Sequence, residues 1–175
     1  MTIGVGLRDL TQKRGKMIQQ IKQGNIPRCV QVIRASFLTV AEEFGFTEEN
    51  APRFTAFAVS DERLNWQFEQ GRPMFAYWEE GEIVGYFSLE LKAGGECELN
   101  NLCVLPDHRH KRIGEQLLEH AFLVAQRNQC RKMIAGIVEE NQLLRSWYET
   151  HGFQHVGTEK FDFFPFTCGY MEKEL

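Results

Sequence analysis

Leu102-Cys103-Val104-Leu105-Pro106-Asp107-His108-Arg109-His110-Lys111-Arg112-Ile113-Gly114 passes from an apolar strand end, through a tight basic loop, directly into a helix. Ile113, Leu117, Leu118, Ala121, Phe122 and Ala125 recur at helical spacing and share one face. A helix that starts straight out of a loop leaves about four backbone N–H groups without intrahelical partners, at the positive end of its macrodipole. Such a terminus suits phosphate. Gly114 allows a bound group to approach the backbone, and Arg109, Lys111 and Arg112 add positive charge around it. His110 reads as a loop residue rather than a base.

Three extended runs precede this unit: Met74 to Glu79, Ile83 to Leu91 and Cys97 to Leu105. Glu80-Gly81-Glu82 joins the first two as an antiparallel hairpin, and Gly94-Gly95 turns the chain into the third, so the three form a meander. Farther upstream, Met17 to Ile21 suggests a short strand. Pro27, with Val30, Ile33, Phe37, Leu38 and Ala41 at helical spacing, predicts a helix ending near Gly45. Thr47 to Gly71 reads as mostly helical, with starts at Pro52 and Asp61-Glu62-Arg63. Downstream, Met133 to Val138 is a β-rich run. Asn141 is a helix cap, Leu144, Trp147 and Tyr148 share a helix face stopped by His151-Gly152, and Phe153 to Phe161 and Thr167 to Glu172 are the last strands. The order β-α-α-β-β-β-α-β-α-β-β predicts an α+β domain over residues 17–175, with one mixed, mostly antiparallel sheet flanked by helices; residues 1–16 read as a flexible leader.

From about Lys16 to Glu174 the chain resembles the GNAT superfamily of acetyl-CoA-dependent N-acetyltransferases. The signature of that family is a strand ending V-x-P, followed by [QR]-x-x-G-x-[GA] at a helix start. Val104-Leu105-Pro106 and Arg109-His110-Lys111-Arg112-Ile113-Gly114 supply it, with Arg112 standing where the first glycine is usual. A second element, N-x(6)-Y-x(3)-G-F, is met by Asn141, Tyr148 and Gly152-Phe153. Phe161-Asp162-Phe163-Phe164-Pro165 is similar to the aromatic-aromatic-Pro segment of some protein N-terminal acetyltransferases in that superfamily.

The resemblance implies acetyl-CoA lying where two neighbouring strands splay apart. Backbone groups of Leu102, Cys103 and Val104 would pair with the pantetheine arm, and the loop Arg109, His110, Lys111, Arg112, Ile113, Gly114 would hold the pyrophosphate. Asn141 would bond the cofactor arm or simply cap its helix. The acetyl group would pass directly to a primary amine of a small molecule or peptide, without a metal. A typical amine with a pKa of about 10 is protonated at neutral pH, so a base is needed. Glu98, in preference to Glu96 on the same strand face, is the expected base, and Tyr148 the expected acid for the departing thiolate. Cys103 reads either as a covalent nucleophile or as a buried strand cysteine, with the second preferred; His151 and His155 read as surface cover. A non-catalytic acyl-CoA-binding regulatory module is the alternative. Many relatives of this kind form homodimers.

Composition bounds these readings. The 175 residues are 43% hydrophobic and 25% charged, values of an ordinary globular protein. The formal charge of −4 is uneven. Residues 1–41 hold seven Lys or Arg against Asp9 alone, residues 42–98 hold four against thirteen acids, and residues 99–175 hold nine against ten. A middle section at −9 argues against nucleic-acid binding and favours a cationic partner. Ten of the fourteen phenylalanines fall in Phe37 to Phe68 and Phe161 to Phe166, the segments expected to wall the acceptor site, so the expected acceptor is a cationic amine with an apolar body. Five cysteines without a C-x-x-C pair fit reduced, cytoplasmic usage, and no stretch has the roughly 18 apolar residues of a membrane span.

Overall fold

In the computed structural model, which describes residues 15–175, a seven-stranded sheet has the order β1-β2-β3-β4-β5-β7-β6. Its strands are β1 (Lys16–Gln20), β2 (Met74–Glu79), β3 (Glu82–Lys92), β4 (Glu96–Val104), β5 (Lys132–Val138), β6 (Gln154–Lys160) and β7 (Thr167–Glu174). Every neighbouring pair is antiparallel except β4 and β5. The β1–β4 meander and the β5-β7-β6 unit are thus two antiparallel halves joined along one parallel seam. Nearly all of the expected leader lies outside the described residues.

The helices are α1 (Ile26–Phe44), α2 (Thr55–Ala58), α3 (Asp61–Glu69), α4 (Ile113–Arg127) and α5 (Gln142–Thr150). Thr47 to Gly71, expected to be mostly helical, holds one four-residue turn of helix and a nine-residue helix, and Pro52 lies outside both. The start at Asp61 has a local cause: the Ser60 hydroxyl accepts from the Arg63 N–H at 3.2 Å, and Asp61 and Glu62 sit at the positive helix end.

Alternation along the strands divides the core. Phe87, Leu89, Cys97, Leu99, Met133, Ala135 and Met171 pack with α4 and α5, while Met74, Ala76 and Tyr86 pack with α1 and α3. Gly85 on β3 lies against α4. A Cβ there would lie 2.9 Å from Leu117 Cδ1, 3.1 Å from the Cys103 carbonyl oxygen and 3.3 Å from Tyr77 Cβ, so any side chain forces its neighbours to shift. A third cluster joins Phe46, Phe54 and Phe166 to Val138, with Phe37, Phe44, Phe57 and Phe164 against it.

Candidate active site

The seam between β4 and β5 has only four rungs, Glu96 with Lys132, Cys97 with Met133, Glu98 with Ile134 and Leu99 with Ala135. Beyond Leu99 and Ala135 no further pair joins the strands, although β4 runs on to Val104 and β5 to Val138. The sheet is therefore forked in its middle. The cause lies two residues past the last rung: Asn101 is left-handed, with φ 54°, and β4 holds one residue more than β3 between Tyr86–Cys103 and Ser88–Asn100. This bulge bends β4 and reverses its alternation. Before it, Cys97 and Leu99 face α4 and α5; after it, Cys103 faces α1 while Leu102 and Val104 pack on the other side.

The fork ends at the predicted loop. After the single 3₁₀ turn Pro106–His108, His110 (φ 61°) and Arg112 (φ 63°) are both left-handed, and Ile113 opens α4. Successive N–H groups in a turn of this kind can form a concave set that suits anions. Among the described residues the backbone N–H groups of residues 110–115 have no acceptor; the first bond of α4 is Gln116 N–H to the Arg112 carbonyl at 3.1 Å. The left-handed backbone explains why glycine is usual at position 112. An L-residue held there costs about 1–2 kcal/mol.

The loop's cations do not share one role. Arg109 turns inward: Nε donates to the Val104 carbonyl at 3.1 Å, Nη1 to Thr39 Oγ1 at 3.0 Å and Nη2 to the Ser36 carbonyl at 2.9 Å. Its guanidinium thus clamps the end of β4 to α1, where the sequence reading had it beside an anion, and it occupies the Val104 carbonyl expected to pair with a ligand. Arg112 closes on Glu115 through Nε–Oε2 at 2.6 Å and Nη2–Oε1 at 2.9 Å. Lys111 is exposed and has no salt bridge among the described residues. His108, outside the predicted set, ties the loop to the β2–β3 hairpin through Glu79, 2.6 Å away. Lys16 and His108 together hold the Glu79 carboxyl below its ordinary range.

Glu98 stands on the third rung, on the α1 face, opposite to Cys97 and Leu99. Its Oε2 pairs with Lys92 Nζ at 2.6 Å, which leaves Oε1 available and pushes the Lys92 ammonium above its ordinary range. Glu96 is drawn away to Lys132 at 2.6 Å. Tyr148 comes from the opposite face, packed edge-on against Trp147 and Phe153 with ring centroids 5.1 and 5.0 Å away. Burial raises its phenol above the ordinary value, and its hydroxyl makes no hydrogen bond among the described residues. The two candidate proton-transfer groups therefore lie on opposite sides of the sheet, with Glu98 on the rung before the last pair and the opening.

Asn141 caps α5, its Oδ1 accepting from the Leu144 N–H at 3.1 Å, and its amide nitrogen stays unpaired among the described residues. Burial pushes the Cys103 thiol up to about 12, which suits a packed strand cysteine and not a thiolate nucleophile. His151 bonds the Trp147 carbonyl at 2.7 Å, and His155 meets Glu139 at 2.8 Å. Beside the fork, Phe166 meets Phe46 at 4.8 Å and Phe164 at 4.5 Å, so the two phenylalanine-rich segments form one wall at the end of β5. Among the described residues no group of three or more His, Cys, Asp or Glu could hold a metal ion, and no helix is long and apolar enough to cross a membrane.

Known proteins share this fold. The chain is similar in fold to the PaiA N-acetyltransferase of Thermoplasma acidophilum, solved in complex with coenzyme A, with a TM-score of 0.79 and 20% identity over 93% of this chain and 100% of that one. YncA of Salmonella typhimurium, solved with acetyl-CoA, has a TM-score of 0.70 and 20% identity over 93% and 95% of the two chains. Streptothricin acetyltransferase A of Bacillus subtilis strain 168 is 24% identical over 110 residues, 62% of this chain, and this chain spans only 64% of that relative's length. The sequence profile described as the Acetyltransferase (GNAT) family matches residues 38–153. With a forked sheet and a matching profile across most of its length, the chain belongs to the GNAT acetyltransferase family.

Proposed function

We propose that this protein is an N-acetyltransferase that binds acetyl-CoA in the β4–β5 fork and transfers the acetyl group to a primary amine. The observation that carries the reading is the continuity between the fork and the loop. Unpaired strand backbone from Asn100 leads straight to six free N–H groups at the start of α4. These groups suit an extended amide-bearing arm ending in a diphosphate. Leu102 and Cys103 would pair with the arm; the backbone of His110 to Gly114, with Lys111, would hold the diphosphate, and the free Asn141 amide would reach the arm. Acetyl-CoA supplies an activated thioester and a thiol leaving group.

Glu98 is the proposed base. From the α1 face its free Oε1 would take a proton from the acceptor amine, directly or through water, while Lys92 keeps the carboxylate oriented. Tyr148, kept protonated by burial, would give its proton to the thiolate from the other face. The side on which Glu98 stands makes the α1 face the acceptor side. The phenylalanine wall there supports an acceptor with an apolar body.

Two measurements test this. Calorimetric titration should show acetyl-CoA binding; none at millimolar ligand would overturn the proposal. Release of CoA thiol with a panel of amines and peptides, run for wild type, Tyr148→Phe and Glu98→Gln, should show turnover lowered about 10²- to 10⁴-fold in each variant. An unchanged rate in either variant would remove that residue from its role.

A further inference from the structure

Arg112 occupies a left-handed position, φ 63°, at the N-cap of α4, where glycine would be unstrained. Its side chain is 79% exposed, and among the described residues it bonds only Glu115, twice, one turn along the helix. Glu115 is the acid in the first turn of α4, beside the N–H groups of residues 110–115. Alone, its carboxylate would satisfy the positive helix end and repel an incoming phosphate. Covered by Arg112, it is neutralised. An exposed pair of this kind contributes little to stability, so opening it is cheap.

Resting on the reading that this loop holds the diphosphate of CoA, we propose that Arg112 is an exchangeable arm: it pairs with Glu115 in the free protein and transfers its guanidinium to the ligand's phosphate oxygens on binding. Guanidinium meets carboxylate and phosphate through the same two-pronged geometry, so the exchange replaces one fork of hydrogen bonds with another. The diphosphate wins because it carries more charge than a single carboxylate and is held by the backbone N–H groups as well. Glu115 acts as a competing internal anion that weakens binding, and Arg112 restores what the missing glycine would have provided through adaptable backbone.

Calorimetric titration of CoA into wild type, Arg112→Gly, Arg112→Lys and Glu115→Gln, at low and high ionic strength, tests the exchange. Arg112→Gly should bind about tenfold more weakly at low ionic strength, with a smaller salt dependence, while melting at a higher temperature than wild type because the backbone strain is gone. Arg112→Lys should retain part of the affinity, and Glu115→Gln should bind about threefold more tightly. Wild type that binds CoA, with Arg112→Gly equally tight or Glu115→Gln no tighter, would overturn the exchange alone. Wild type that binds no CoA would overturn both this proposal and the function on which it rests.

Discussion

Replacing Arg109 with alanine separates two roles for the same side chain. In the structure its guanidinium donates to the Val104 carbonyl, the Ser36 carbonyl and Thr39 Oγ1 at 3.1, 2.9 and 3.0 Å, joining the end of β4 to α1 across about seventy residues of chain. Hydrogen bonds from a charged donor contribute about 1.5–3 kcal/mol each. The site is only part-buried, and water can reach the freed acceptors, so each bond here is worth about 1 kcal/mol, below that range, and the three together come to about 3 kcal/mol. For a chain of this size each kcal/mol shifts the melting temperature by about 2–4 °C, so Arg109→Ala should melt about 6–12 °C below wild type. Thermal unfolding followed by circular dichroism and by tryptophan fluorescence measures this directly. Arg109→Lys keeps the charge but not the fork, and should recover less than half of the loss. CoA affinity should fall only modestly in protein that remains folded. If Arg109→Ala instead melts within about 2 °C of wild type and loses CoA affinity more than about tenfold, the side chain serves the ligand and the clamp is incidental.

His120 lies against Phe75, ring centroids 4.9 Å apart, and burial with nearby Arg127 depresses its pKa below the ordinary 6.5. The unfolded chain takes up the proton first, so the stability from this neutral ring is complete above about pH 6.5 and fades as pH falls toward the folded value. Wild type should therefore lose more melting temperature than His120→Gln between about pH 7 and 5, and parallel curves would refute this. Gly85→Ala should destabilise by about 2 kcal/mol in urea unfolding, because its Cβ meets Leu117, the Cys103 carbonyl and Tyr77 at 2.9–3.3 Å; no loss would show that α4 can shift freely. Asn141→Ala should cost about 1 kcal/mol through the lost cap and also weaken CoA binding. Asn141→Asp should keep the melting temperature but not the affinity, and equal CoA affinity in all three proteins would leave Asn141 as a cap alone.

Local patterns in the chain are enough to recover most elements. The Glu80-Gly81 turn, with both residues at positive φ, makes the β2–β3 hairpin, and the apolar stripe from Ile113 to Ala125 makes α4. What depends on distant partners is harder to read. Nothing within Thr167–Glu174 says that it lies between β5 and β6. Two of the three partners of Arg109 are at positions 36 and 39, so a loop arginine looks like an anion ligand until α1 is in place. The bulge at Asn101 has one local sign, the tolerance of asparagine for left-handed backbone, and yet it decides on which face Cys103 lies. Tyr148 stands out as a candidate because a family pattern marks it, and Glu98 because it lies on the strand that leads into the motif. Their placement on opposite faces follows only from the folded sheet.

Opening the sheet in its middle leaves strand edges where most proteins have none. Beyond Leu99 and Ala135, β4 and β5 each present unpaired backbone to their surroundings, which is the template on which foreign strands and aggregates grow. The chain guards these edges as outer strands are usually guarded. The bulge at Asn101 twists β4 out of a flat register, and Gly136 gives β5 little side-chain surface to zip against. An open fork is thus also a standing solubility hazard, and any occupant that paired with its backbone would protect the protein from its own copies.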